Sequence, residues 1–275
     1  FPPGSIFKLI TTSAALEKNI IHVTDEWYCK GYTTFGNRKY YCARKRGHGH
    51  LSLKQAVAQS CNTLFFEIGK QLDIDVLADY AHRFGLGKST GISLQEQYGL
   101  VPTREWKRIV KGQPWWPGET LSAVIGQTFL LASPLQIACL IGSIFTKKLI
   151  TPRILEDEEI HSIPLNIKQE TLTFLKKSMK SVVRRGTGKQ IPTIQDIDIF
   201  AKTSTAQISS LEKAAQNKAF SEHGWFAAYF TYKNTNPLVF VLLVEKAGSS
   251  RIPTTIAKQF FLKYKKLMSL KEPIF

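Results

Sequence analysis

Three pairs of polar residues occur in a fixed order along this chain and could together support nucleophilic catalysis. They are, in order, a first motif with Ser5 and Lys8, a second motif with Ser60 and Asn62, and a third motif with Lys202 and Thr203, which Ser204 follows and completes. A serine hydroxyl is a weak nucleophile, so it needs a base within hydrogen-bond reach. Residues three apart on a helix lie on the same face, so Lys8 is predicted to lie beside Ser5. The pattern therefore predicts a serine nucleophile with a lysine as its base.

A lysine acts as a base only when its pKa is lowered, and burial together with a second nearby cation has that effect. Lys202 is the candidate for this second cation. Residues 1–4 read Phe-Pro-Pro-Gly and form a rigid lead-in, because proline disfavours helix in the residue that precedes it. We therefore expect the first helix to begin near Ser5, which would place the Ser5 amide at the positive helix end.

Each pair alone is too common to identify an activity, since Ser5 and Lys8 alone would fit a helix cap and a solvated lysine. Their order and spacing resemble those of penicillin-binding proteins and serine β-lactamases. More narrowly, the chain resembles the transpeptidase domain of class B penicillin-binding proteins of the elongation type, penicillin-binding protein 2. Further segments that carry this resemblance are residues 47–53, 84–87, 90–92, 99–102, 116–120, 125–127, 133–136 and 223–227.

The resemblance implies an α/β (α+β) fold of the penicillin-binding protein transpeptidase and serine β-lactamase type. This fold is an antiparallel sheet flanked by helices, with a helical subdomain. We expect residues 1–275 to form one transpeptidase domain that is truncated at its N-terminus. Residues 9–190 are expected to be its mostly helical part, and residues 191–275 its sheet and C-terminal helix.

The resemblance also implies a function, namely a peptidoglycan D,D-transpeptidase that cross-links stem peptides through a serine acyl-enzyme in cell elongation and cell-shape maintenance. Catalysis would need no cofactor. Expected partners are stem peptides ending in D-Ala-D-Ala, β-lactam antibiotics and, through N-terminal regions absent from this chain, a SEDS-type glycosyltransferase and elongation-complex proteins. The expected location is the periplasmic face of the bacterial inner membrane, with an N-terminal anchor that is also absent. The alternatives are a β-lactamase or D,D-carboxypeptidase, or an inactive β-lactam-binding sensor or scaffold.

The resemblance assigns a role to each site residue. Ser5 would be the acylated nucleophile and Lys8 its base, Ser60 a proton relay, and Asn62 the residue that holds Lys8 and a substrate amide. Lys202 and Thr203 would lower the pKa values of the site and bind the substrate carboxylate. The full expected set is Ser5, Lys8, Ser60, Asn62, Lys202 and Thr203 for catalysis, the amides of Ser5 and Thr205 for the oxyanion hole, and Thr203, Ser204 and Thr205 for substrate binding.

Two positions depart from the family pattern. Ala201 and Ser204 stand where glycine is usual, and a glycine lets other groups approach a strand closely because it has no side chain. We expect the small hydroxymethyl group of Ser204 to be tolerated. Slower acylation or loss of activity is the alternative.

Four residues could bind a metal. Cys29, Cys42 and His48 lie between the first and second motifs, and Cys61 lies between Ser60 and Asn62 of the second motif. Three cysteines and one histidine suit a closed tetrahedral zinc site, which would hold a loop poor in apolar residues. The alternative is a Cys29–Cys42 disulfide with His48 as a turn residue. The position of Cys61 beside Ser60 slightly favours zinc, and Cys139 is expected to be a core residue.

The composition fits one large domain of 275 residues with a formal net charge of +16, from 37 basic and 21 acidic residues. A lysine-rich surface is the simplest interpretation, and attraction to anionic lipid or acidic stem peptides is the alternative. We expect no nucleic-acid partner, because no helix-turn-helix, RNP or zinc-finger pattern occurs. No apolar run approaches the ~20 residues that span a bilayer, and we expect the chain to be a fragment of a longer protein.

Hydrophobic periodicity predicts helices over 5–18, 53–66, 74–84, 122–147 with an interruption near 133–134, 168–185 and 253–267. The second motif would then lie near the middle of one helix. Strands are predicted over 197–207, 224–232 and 238–246, with a hairpin turn at 233–237. Residues 22–50 are expected to be irregular, 85–118 to form loops, and 186–189 to form a turn, because their spacing does not fit a phosphate-binding loop.

Overall fold

The computed structural model describes residues 1–207 and 222–270. A 3-10 turn, Gly4–Ile6, precedes the first helix. The helices are α1 (Lys8–Glu17), α2 (Leu53–Ala58), α3 (Asn62–Gly69), α4 (Ile74–Arg83), α5 (Arg104–Lys111), α6 (Pro117–Ala123), α7 (Pro134–Thr146), α8 (Gln169–Arg185) and α9 (Arg251–Leu270). The strands are β1 (Glu26–Cys29), β2 (Tyr32–Phe35), β3 (Arg38–Tyr41), β4 (Gly49–Ser52), β5 (Lys148–Ile150), β6 (Ser162–Pro164), β7 (Ile197–Ala206), β8 (His223–Tyr232) and β9 (Thr235–Val244).

The central sheet is antiparallel and has the strand order β7-β8-β9. Strand β8 is buried on both faces, as its successive residues Trp225 and Phe226 show. Trp225 belongs to the core cluster that also contains residues of α1, α3, α4, α7 and α8, whereas Phe226 packs with Phe261 of α9. Burial of each such aromatic side chain contributes roughly 1.5–3 kcal/mol. Helices therefore cover the sheet on both sides, and the predicted fold class is confirmed.

The N-terminal residues are fixed to the rest of the domain by long-range hydrogen bonds. The Phe1 ammonium donates to the Ala132 carbonyl, and the Trp225 indole donates to the Pro2 carbonyl. The Gly4 amide donates to the Gly126 carbonyl at 2.9 Å. These bonds fix the 3-10 turn, whose Gly4 lies beside Ser204 of β7, so Ser5 occupies a defined position.

Residues 22–50 are not irregular as predicted, because they form four short strands. Strand β1 pairs with β4, and β2 pairs with β3, both antiparallel. The strands are largely exposed and polar, so they lack the alternating apolar pattern that marks a strand in sequence.

The prediction of one helix over 53–66 was wrong, because the segment is two helices, α2 and α3. The break falls at Ser60, whose φ of +56° lies in the left-handed region. The second motif therefore lies at a helix junction and at the start of α3 rather than in mid-helix. Residues 85–118 were predicted to be loops, but they contain α5 and the start of α6. The helix predicted over 122–147 was too long, because only residues 122–123 and 134–146 of this range are helical.

The hairpin between β8 and β9 is tighter than predicted. Lys233 and Asn234 both have positive φ, and Tyr232 pairs with Thr235, so this is a two-residue turn whose twist matches that of the strands. The predicted turn at 186–189 does follow α8. No helix among the described residues is long and apolar enough to cross a bilayer.

Candidate active site

Side chains from all three motifs meet around the Ser60 hydroxyl. Lys8 lies at the start of α1, and its Nζ donates to the Ser60 Oγ at 3.1 Å, to the Ser60 carbonyl at 2.9 Å and to the Asn62 Oδ1 at 2.6 Å. Lys202 of β7 donates from its Nζ to the same Ser60 Oγ at 3.2 Å and to the Thr203 carbonyl at 3.1 Å. One hydroxyl thus connects two lysines that are far apart in the sequence.

The break between α2 and α3 positions Ser60. The Ser60 amide donates to the Val57 carbonyl, and the Cys61 amide donates to the Ala56 carbonyl, which closes α2 before α3 begins. A non-glycine residue in the left-handed region costs of order 1–3 kcal/mol. This strained conformation turns both the Ser60 hydroxyl and its carbonyl towards Lys8.

Both lysines are fully buried, with 0% of each exposed. Burial lowers the pKa of Lys8 to about 8, although the nearby thiols of Cys42 and Cys61 act in the opposite direction. Burial and the charge of Lys8 together hold the pKa of Lys202 well below its usual value. The sequence-based expectation that burial and a second cation perturb these groups agrees with this geometry.

Ser5 lies in the 3-10 turn, half-exposed, one turn before α1. Among the described residues no carbonyl accepts a hydrogen bond from the Ser5 amide. The Ser5 hydroxyl makes no hydrogen bond to Lys8, whose ammonium is engaged by Ser60 and Asn62. Free catalytic hydroxyls are often loosely placed before substrate binds. Among residues 1–207 and 222–270, neither the hydroxyl nor the amide of Ser5 has a hydrogen-bond partner.

The Thr205 amide points towards the same turn. The Thr205 carbonyl oxygen is 3.1 Å from the position that a Cβ on Gly4 would occupy. In an antiparallel ladder the N–H and C=O of one residue point to the same side. Both Thr205 groups therefore face the 3-10 turn rather than β8, while the Ser250 amide donates to the Thr205 Oγ1 at 3.0 Å.

Ser204 is buried, with 2% exposed, and it lies directly beside Gly4. Its hydroxyl has no hydrogen-bond partner among the described residues. Gly4 has a φ of +51°, and any Cβ there would overlap the Ser204 Oγ. The hydroxymethyl group that replaces the usual glycine is thus accommodated because Gly4 has no side chain.

These residues line an open cavity of about 430 Å³ between the helical part and β7. Its walls include Ser5, Ser60, Asn62, Thr203, Ser204 and Thr205, together with Lys45, Gln207 and Glu222. Lys8 and Lys202 lie beneath its floor.

Thr187 also lines the cavity and was missed in the sequence, where residues 186–189 were interpreted only as a turn. Its Oγ1 forms a hydrogen bond with the Thr203 Oγ1, and its amide donates to the Ala58 carbonyl at 3.2 Å. Gly186 before it has no room for a Cβ against that same carbonyl. In the sequence, the available signal was Gly186 directly before Thr187, just after the end of a predicted helix. Only the fold shows that Thr203 is the hydrogen-bond partner of Thr187.

The four candidate metal ligands come together at one side of this cavity. The ligand atoms of Cys29, Cys42, His48 and Cys61 all lie within 4.8 Å of one another, with the three cysteines buried. All four cysteines of the chain are free thiols, including Cys139. A hydrogen bond from Cys61 lowers the pKa of Cys42 to about 3, and the same contact raises the pKa of Cys61. Cys61 is also the N-cap residue of α3, between Ser60 and Asn62.

Comparison with known proteins agrees with this geometry. The family described as "Penicillin binding protein transpeptidase domain" matches residues 1–262. The chain belongs to the penicillin-binding protein transpeptidase family, which confirms the resemblance seen in the sequence.

The relatives that the chain matches include proteins named MrdA and PBP2. The chain is 30% identical over 282 residues to the peptidoglycan D,D-transpeptidase MrdA of Haemophilus influenzae, an alignment that covers 94% of this chain and 43% of that protein. It is 27% identical, with a TM-score of 0.87, to the penicillin-binding protein PBP2 solved with MreC from Helicobacter pylori, over 98% of this chain and 50% of that one. Pseudomonas aeruginosa PBP2 in complex with WCK 5153 gives 28% identity and a TM-score of 0.80, over 94% and 57%. The chain thus spans less than half the length of the curated relative.

Proposed function

We propose that this protein is a serine D,D-transpeptidase that cross-links peptidoglycan stem peptides through an acyl-enzyme on Ser5. The observation that carries the proposal is the array in which buried Lys8 and Lys202 both contact the Ser60 hydroxyl, directly below the cavity that Ser5 lines. Membership of the transpeptidase family and similarity to MrdA support it.

Acylation begins with removal of the Ser5 proton. Lys8 is the base, because its lowered pKa leaves a fraction of the amine neutral near neutral pH. The Ser5 oxygen then attacks the carbonyl carbon of the penultimate D-Ala residue. The proton reaches the departing amine from Lys8 through the Ser60 hydroxyl, which lies between the two lysines. The terminal D-Ala leaves, and an acceptor amine of another stem peptide later displaces Ser5.

The oxyanion that forms on the attacked carbonyl lies between the amides of Ser5 and Thr205. Both amides face the same space, and each such donor contributes roughly 3–4 kcal/mol to the transition state. The substrate carboxylate binds at Thr203, whose hydroxyl is oriented by Thr187. Ser204 contributes to this wall through its backbone, since its hydroxyl is turned towards Gly4.

We further propose that Cys29, Cys42, His48 and Cys61 hold one structural zinc ion. Their number, burial and mutual distances fit a closed tetrahedral Cys₃His site. The ion would supply no catalytic chemistry but would fasten the β1–β4 region to the start of α3. Since Cys61 lies between Ser60 and Asn62, the ion would fix the second motif. No cofactor is proposed for catalysis.

In this proposal the domain acts at the periplasmic face of the bacterial inner membrane, where cell elongation requires new cross-links. Partner proteins would be a SEDS-type glycosyltransferase and other elongation-complex proteins, in line with the relative solved with MreC. β-Lactams would acylate Ser5 in place of a stem peptide. The chain has a formal net charge of +16, which would attract it to anionic lipid or to acidic stem peptides.

The proposal is tested by incubating the protein with a penicillin and mapping the adduct by peptide mass spectrometry. We expect the adduct on Ser5, its absence in Ser5→Ala, and slowing by about 10²–10⁴ in Lys8→Ala. An adduct elsewhere contradicts the assignment, and no adduct would favour a scaffold. Rapid hydrolysis of the acyl-enzyme would instead favour a β-lactamase or carboxypeptidase.

A further inference from the structure

The thiol cluster beside the second motif contains one pair of sulfur atoms in direct contact. The Cys61 thiol donates a hydrogen bond to Cys42, whereas the side-chain partners of Cys29 are Thr63 and His48. All three cysteines are free thiols. A disulfide forms most readily between cysteines whose side chains already approach each other. Oxidation of the cluster would therefore join Cys42 to Cys61 rather than to Cys29.

The catalytic cavity gives a small reagent access to this pair of thiols. Cys42 directly follows β3 and lines the open cavity with 2% of its surface exposed, whereas Cys61 is fully buried. A reagent that enters the cavity therefore reacts first with Cys42. Disulfides form in oxidising compartments such as the periplasm, which is the proposed location of this domain.

The two segments that this disulfide would join also position the second motif. Cys61 is the N-cap residue of α3, between Ser60 and Asn62. Both of these neighbours accept hydrogen bonds from the Lys8 ammonium. On the other segment, the carbonyl of Tyr41 at the end of β3 accepts a hydrogen bond from the Asn62 side chain at 3.5 Å. A covalent bond draws two sulfurs closer than a hydrogen bond does, so it would shift this junction and the partners of Lys8 with it.

We propose that Cys42 and Cys61 form a reversible oxidation site, at which an organic disulfide creates a Cys42–Cys61 bond that slows acylation of Ser5. The inference rests on the proposed function for the activity that is controlled. It applies to the chain when no zinc occupies the cluster, because zinc bound to the same sulfurs would block their reaction.

The reaction consists of two thiol–disulfide exchanges. The Cys42 thiolate attacks one sulfur of the reagent R–S–S–R, which leaves a mixed disulfide on Cys42 and releases one R–S⁻. The Cys61 thiolate then attacks the Cys42 sulfur and releases the second R–S⁻. The two released thiolates take up the two protons that the cysteines lost. Two cysteine thiols are thus oxidised to one disulfide, and the reagent is reduced to two thiols.

The experiment treats the purified protein with bis(2-hydroxyethyl) disulfide in the presence of a metal chelator, and compares it with a chelated sample kept in dithiothreitol. Disulfides are mapped by peptide mass spectrometry without reduction, and activity is the rate at which a fluorescent penicillin labels Ser5. We expect a Cys42–Cys61 peptide pair and labelling slowed about tenfold or more, because a displaced general base loses part of the roughly 10²–10⁴ that it supplies. Dithiothreitol added afterwards should restore the rate of the reduced sample.

Single substitutions separate this disulfide from other oxidation, and each variant is scored by the ratio of its reduced to its oxidised labelling rate. Cys42→Ser and Cys61→Ser should abolish the effect of oxidation. Cys29→Ser and Cys139→Ser should keep it, since Cys139 lies outside the cluster. A Cys29–Cys42 disulfide, a mixed disulfide that stays on Cys42, no disulfide at all, or a Cys42–Cys61 disulfide that leaves labelling unchanged overturns this inference alone. Absence of labelling on Ser5 of the reduced wild type overturns the proposed function.

Discussion

Gly4 and Ser204 fit each other, in that the hydroxyl of Ser204 occupies the space that any side chain on Gly4 would need. Gly4 precedes Ser5, the proposed nucleophile, and Ser204 belongs to the third motif, so the contact joins two parts of the site. The Ser204 hydroxyl is buried there without a hydrogen-bond partner among the described residues. A buried, unpaired hydroxyl costs about 1–3 kcal/mol. The glycine-to-serine departure is therefore tolerated sterically but at the expense of stability.

Ser204→Gly is expected to stabilise the protein and to keep or increase the rate of penicillin acylation. Loss of the unpaired hydroxyl should outweigh the backbone entropy that glycine costs, about 0.5–1 kcal/mol. The net gain should be about 1 kcal/mol in the free energy of unfolding, measured by urea denaturation. Ser204→Ala keeps the Cβ and should gain at least as much.

Ser178 on α8 provides a matched control, because it is the other buried hydroxyl without a partner among the described residues. Ser178→Ala should raise stability without changing acylation, since it lies outside the cavity lining. A large fall in the acylation rate of Ser204→Gly would show instead that the Ser204 hydroxyl has a positive role in catalysis.

Local spacing predicted part of this site, but tertiary contacts determine the rest. The spacing of Ser5 and Lys8 predicted that both lie near the start of the first helix, which begins at Lys8 after a 3-10 turn that contains Ser5. The sheet was predicted because β8 and β9 are rich in apolar residues. The break at Ser60 could not be predicted, since a serine with positive φ has no local sequence signal and is held there by α2, α3 and Lys8. Thr187 and Glu222 were missed because packing of α8 and the ends of β7 and β8, rather than any motif, brings them to the cavity.

The rate of acylation should rise with pH through a pKa near 8. Burial lowers the pKa of Lys8 to about 8, so the neutral base accumulates as pH rises through this value. The second-order rate constant for a penicillin should fall about tenfold per unit below pH 7 and level off above pH 9. Stopped-flow labelling over pH 6–9.5 measures it.

Stability gives an independent test of the same pKa. Because the pKa of Lys8 is lower in the folded state than the ordinary value of 10.5, the unfolded chain binds more protons between these two values. The free energy of unfolding should therefore rise with pH from about 8 to 10.5, relative to Lys8→Met. A rate that is flat over pH 6–9.5 would rule out Lys8 as the titrating base.

Thr187→Val should slow acylation by a penicillin about fivefold to tenfold. The substitution keeps the shape of the side chain but removes the hydrogen bond to Thr203, and one neutral hydrogen bond is worth about 1 kcal/mol. Thr187→Ser restores the hydroxyl and should stay within about twofold of the wild type. Equal rates for the valine and serine variants would show that Thr187 does not orient Thr203.

The protein purified without added metal should contain one zinc ion per chain by elemental analysis. Chelation should lower both the melting temperature and the acylation rate, because metal affinity is linked to folding and Cys61 adjoins Ser60 and Asn62. Cys42→Ser should have the same two effects, while Cys139→Ser, whose thiol lies outside the cluster, should retain the metal and the acylation rate. Metal-free protein with a Cys29–Cys42 disulfide would exclude zinc and leave the roles of Ser5 and Lys8 unaffected.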